Sequence, residues 1–101
     1  GAINQVQLGF YSLESKKYKK KYFNDDYELT SLMGNIALKD GNPFVHIHIN
    51  MSDENFDVIG GHLFSAVTAA SAEVIVLLDN QHIKRELDQK VGLYLWDFNC
   101  G

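Results

Sequence analysis

The stretch Gly41-Asn42-Pro43-Phe44-Val45-His46-Ile47-His48-Ile49-Asn50-Met51 says the most about how this chain folds. From Phe44 to Met51, Val45, Ile47, Ile49 and Met51 fall on one face of an extended strand. Phe44, His46, His48 and Asn50 fall on the other. Such alternation is the mark of a half-buried strand. The strand follows Lys39-Asp40-Gly41-Asn42-Pro43, the clearest turn in the chain.

The same pattern extends in both directions. Upstream, Val6, Leu8 and Phe10 alternate as a first strand, and Ser12 to Ser15 reads as a turn. Tyr18, Tyr22 and Phe23 then alternate with lysines in a second strand paired to the first as a hairpin. After the turn Asn24-Asp25-Asp26, Tyr27 to Leu38 predicts a long strand, with Gly34 a bulge or a point of close approach. Downstream, Ser52 to Asp57 is a polar, acidic loop, and Gly60-Gly61 breaks the next segment. Ala66 to Leu78 starts with small residues that also suit a helix and ends in a β-branched run that predicts a strand. Gln81 to Lys90 predicts a short helix or turn, and Leu93 to Phe98 a closing strand with the only tryptophan. A sheet this apolar needs a covering layer, from other subunits or from a helical piece preceding Gly1.

The chain has 101 residues, 46% hydrophobic and 22% charged, with a formal net charge of −4. That length predicts one domain, small enough that self-association would help its stability. The apolar content excludes a disordered chain. The longest strongly apolar run, residues 74–78, is too short to span a bilayer, and no basic-then-apolar leader opens the chain. With a single cysteine, Cys100, no intrachain disulfide can form, and a reducing, cytoplasmic location is the expectation. Five of the nine basic residues are Lys16, Lys17, Lys19, Lys20 and Lys21, and the only arginine is Arg85. An acidic chain with one arginine starts at a disadvantage as a nucleic-acid binder.

The chemistry candidates are histidines. His46 and His48, at i and i+2 on a strand, leave the same face roughly 7 Å apart along the chain. Neutral imidazole is a common ligand for zinc-like metals, so the pair suits one cation. His62, after Gly60-Gly61, is the best third ligand, and three histidines leave a fourth position open. On spacing alone the same residues also read as half-exposed strand histidines bonded to backbone or solvent. His82 sits in a polar stretch and reads as surface. The lysine cluster could hold phosphate or stacked bases. It reads better as the solvated face of an edge hairpin, where lysines discourage edge-to-edge pairing. Asp53 and Glu54 read as a solvated loop, neither Ser12 nor Ser65 as a nucleophile, and Gly60-Gly61 not as a phosphate loop.

Several motifs together resemble one family. They are Leu8-Gly9-Phe10-Tyr11, Leu32-Met33-Gly34-Asn35-Ile36-Ala37, Gly41 to His48, Gly60-Gly61-His62-Leu63 and Ala70-Ser71-Ala72-Glu73-Val74. The resemblance is to the plants-and-prokaryotes-conserved (PPC) domain, which carries a DNA-binding label in bacteria and follows AT-hooks in plants. It covers nearly the whole chain and implies an α/β (α+β) fold: a large, mainly antiparallel sheet with few helices, assembled as a homotrimer. It also implies a divalent-metal site, zinc among the candidates, at His46, His48 and His62, because the fold is similar to that of acetolactate decarboxylase, whose zinc three histidines hold. Two departures stand out. Residues 1–101 read as a single PPC domain without the family's usual first strand and helix, and no Arg-Gly-Arg AT-hook core is present.

Three functional readings follow. The first is a cytoplasmic homotrimer with a metal or small-ligand site at the histidines and no catalytic residue assigned. The second is a DNA-binding regulator using the lysine cluster. The third is a metal-dependent lyase or hydrolase, with Glu73 and then Glu54 as the acid or base to inspect.

Overall fold

The computed structural model of the protein describes residues 1–98, so Cys100 lies outside the described residues. Seven strands form one sheet: β1 (Ala2–Ser12), β2 (Lys17–Phe23), β3 (Tyr27–Lys39), β4 (Asn42–Ser52), β5 (Val58–Thr68), β6 (Lys84–Asp88) and β7 (Leu93–Asp97). Their order is β2-β1-β5-β4-β3-β6-β7. Every pairing is antiparallel except β3 with β6. No helix occurs among the described residues, so the α/β expectation reduces to its sheet. No helix there is long and apolar enough to cross a membrane.

β4 lies between β3 and β5 and is bonded to both. Asp40 and Gly41, with φ of 51° and 79°, make the two-residue β3–β4 turn, the positive-φ pair that matches the twist of the strands it joins. The start of β1 also pairs with β3, Ile3 opposite Tyr27, which curls the sheet on itself. The curl encloses Ile3, Val6, Leu8, Tyr27, Ile49 and Met51. The core is thus supplied by one face of β1, β3, β4 and β5, with Leu29, Leu32, Ile47, Ile59 and Leu63 only partly buried around it.

The hairpin β6–β7 folds back from β3 across the opposite face. Its turn reaches β1 and the β1–β2 turn on the other side of the histidine strands: Tyr11 donates its hydroxyl to Val91 O at 2.6 Å, and Lys16 Nζ donates to Gln89 O at 3.4 Å.

Three local expectations change, and a fourth resolves to one of its two alternatives. Gly34 is a close approach and no bulge: a Cβ there would lie 2.1 Å from His46 O, while the register slips at residue 30. Gly60 and Gly61 do not break their segment but pair with Asn50 and Ile49 inside β5. Gln81 to Lys90 holds strand β6 instead of a helix, because Arg85 and Leu87 alternate and β7 offers a ladder. The predicted strand at residues 74–78 does not form, and its apolar side chains are exposed. High β propensity needs a neighbouring strand to act on, and the seven-stranded sheet does not include this run.

Met51 is fully buried, so Met51→Ala should cost about 3 kcal/mol in urea unfolding. Gly34→Ala should cost about as much although it adds one methyl, because that methyl meets the His46 carbonyl and Ile47 Cα, backbone that cannot swing aside. Wild-type stability for Gly34→Ala would mean that β3 and β4 pack less tightly than described.

Candidate functional site

The pleat that sends Ile47, Ile49 and Met51 inward sends His46 and His48 to the outer face. His62 on β5 stands directly opposite His48 in the register. The three histidines therefore meet, with one donor atom from each within 4.8 Å of the others, and no cysteine or carboxylate joins the group among the described residues. The ring centroids are 4.9 Å apart for His46–His48, 5.3 Å for His46–His62 and 5.6 Å for His48–His62. His46 Nε2 and His48 Nε2 are 3.2 Å apart. His62 Nδ1 is buried with no hydrogen-bond partner.

Aromatic rings flank one side. Tyr18 and Phe64 sit 4.9 Å and 4.7 Å from the His62 ring and 5.0 Å from each other. Gly9 makes room for them, since a Cβ there would come within 2.4 Å of the Phe64 ring. Lys20 Nζ lies 4.4 Å above Phe64. Burial, then Tyr11, raises the Tyr18 hydroxyl above its ordinary value, so the phenol stays neutral.

The other side is built by the hairpin. Arg85 donates to Tyr94 O and to Asn35 Oδ1, both at 2.9 Å, and its Nη2 lies 3.3 Å from His46 Nδ1. Trp96 Nε1 donates to the same Asn35 oxygen at 3.2 Å. Arginine has no acceptor, so His46 Nδ1 must accept. The proton of a neutral His46 then sits on Nε2 and points at His48 Nε2.

Residues that sequence reasoning proposed divide cleanly. His46, His48 and His62 come together. His82, Glu54 and Glu73 are exposed and outside the group. The lysines lie on and just before β2, an edge strand, as an edge hairpin requires. Arg85, Asn35 and Trp96 were missed as site residues. No local motif joins residues 50 and 61 positions apart, and Arg85 stood out only as the sole arginine.

Burial lowers the basicity of His46, with smaller contributions from Arg85 and His48, and lowers that of His62, with smaller ones from His46 and His48. An unfolded chain protonates these histidines near about pH 6.5, and the folded chain only at lower pH. Between those values the unfolded chain binds more protons, so the stability of metal-free protein falls as pH drops below about 6.5. Urea midpoints measured in chelator from about pH 7.5 to about pH 5 should decline, and His62→Gln should flatten the decline. Equal slopes for wild type and variant would contradict the shift.

Residues 1–78 match the family model for the Plants and Prokaryotes Conserved (PCC) domain. Among solved structures, a candidate DNA-binding protein from Bacteroides thetaiotaomicron is 31% identical with a TM-score of 0.93, over 97% of this chain and 68% of that one. A metal-containing protein from Archaeoglobus fulgidus is 36% identical with a TM-score of 0.79, over 95% and 68%. A plant- and prokaryote-conserved (PPC) protein from Pyrococcus horikoshii is 37% identical with a TM-score of 0.80, over 96% and 67%. No curated protein matches the chain. From the family model and these structural relatives together, the chain belongs to the Plants and Prokaryotes Conserved domain family.

Proposed function

We propose that this domain binds a divalent cation, zinc first among the candidates, through His46, His48 and His62, and works as a homotrimer. The observation that carries the reading is the convergence of three imidazole donors, with His62 Nδ1 buried and unpaired. Imidazole nitrogens suit zinc, copper, iron or nickel, and an all-oxygen preference such as that of magnesium is not met. Lowered basicity keeps His46 and His62 neutral, the form that ligates. The Archaeoglobus relative, described as metal-containing, supports the same reading. A bound cation would supply a Lewis-acid position open to an outside ligand. The chain's own contribution is to aim three imidazoles from two adjacent strands and to wall them with Tyr18, Phe64 and the β6–β7 hairpin. Self-assembly draws support from residues 74–78, where Ile75, Leu77 and Leu78 are 89%, 93% and 88% exposed. A run of that kind without a partner strand is an association surface.

DNA binding stands second. It draws on the Bacteroides relative, described as a candidate DNA-binding protein, and on the lysines of β2. The single arginine is buried beside Asn35 and is not free to read base edges.

After loading at neutral pH and removal of free ion, wild-type protein should retain bound metal by mass spectrometry of the elements. His46→Ala, His48→Ala and His62→Ala should each fall to background. Equal, near-zero content in all four proteins would remove the metal site. For the second reading, duplex binding should weaken with salt, and replacing the five lysines should flatten the slope by about 0.9 for each phosphate that is no longer neutralised. No binding at low salt would remove it.

A further inference from the structure

Arg85 is only 7% exposed, and the acceptors it meets among the described residues are all neutral: a backbone carbonyl, an asparagine oxygen and an imidazole nitrogen. Its Nε is buried with no partner. Burying a cation without an anion is costly. The cost rises if the histidines hold a metal. His46 can offer Nε2 only with its proton moved to Nδ1, and a protonated Nδ1 no longer accepts from Arg85. The Nη2–H facing it then joins Nε–H in having no acceptor. The site would combine a doubly charged ion and a guanidinium, with no carboxylate in its donor group.

We propose that the site takes a small organic carboxylate, whose charge is met by Arg85 beside the three histidines. A guanidinium fork matches a carboxylate in shape as well as charge. The surroundings favour an organic anion over inorganic phosphate. Tyr18 and Phe64 flank His62, and the Phe44 ring lies 5.3 Å from the guanidinium carbon, so an apolar tail has rings to rest on. Exposed His48 leaves a way in from solvent. The inference rests on the metal reading above for two of the three positive charges.

Trp96, the only tryptophan, shares the Asn35 oxygen with Arg85 and so reports on it by fluorescence. Zinc-loaded protein is titrated with butyrate, with uncharged butyramide and with inorganic phosphate. Butyrate should saturate, butyramide should not bind, and phosphate should bind more weakly than butyrate. Arg85→Met should weaken butyrate at least about 30-fold, and Arg85→Lys, which keeps charge but loses the fork, should fall between. Zinc should be retained in both variants, because Arg85 opposes the ion and does not ligate it. If Arg85→Met does not fold, Arg85→Lys decides alone. Butyrate affinity equal to wild type in the folded variants, absence of butyrate binding, or tighter binding of phosphate would each overturn the proposal. Zinc content is read separately. If wild type retains none, the metal reading fails, and the same titration of metal-free protein decides the role of Arg85.

Discussion

The pleat of β4 is the constraint on which this molecule turns. Bonded to β3 on one side and β5 on the other, β4 cannot rotate its side chains out of alternation. Ile49 and Met51 are held in the core, and His46 and His48 are held outside it by the same backbone. A slip of one residue would exchange the two sets. The tight approach of Gly34 to His46 O resists such a slip, because only a residue without Cβ fits there. Core stability and site geometry are therefore one property of the same strand.

Charge explains what surrounds that strand. The lysines crowd an outer edge strand, where they keep the edge from pairing. The single arginine goes inside, under the hairpin, where its Nη2 lies against His46 Nδ1 and its field adds to the effect of burial in lowering the basicity of His46. The acidic groups among the described residues stay out of the histidine cluster. Among the described residues, this acidic protein thus keeps its one buried cation next to the three histidines. That distribution suits a small anionic ligand better than a long polyanion.

The hairpin β6–β7 is the least foreseeable part. Gln81 to Lys90 carries charges and polar residues that suit a helix, and only the ladder with β7 makes Lys84–Asp88 a strand. Residues 74–78 fail in the opposite sense, since their β-branched composition is right but no strand among the described residues pairs with them. Both cases have one cause. Strand formation belongs to pairs of segments, and a single segment's composition does not name its partner.

Local alternation determined the strands β1 to β4, the Asp40-Gly41 turn and the shared face of His46 and His48, because each depends on residues within a few positions. The motifs also marked His62 as the third member. Tertiary structure alone decided that His62 stands opposite His48, that the sheet curls over its own core, and that Arg85 of β6 and Trp96 of β7 reach the site through Asn35, which stands opposite His46 on β3. Register and curl depend on the summed pairing of seven strands, and no short window of sequence contains that sum.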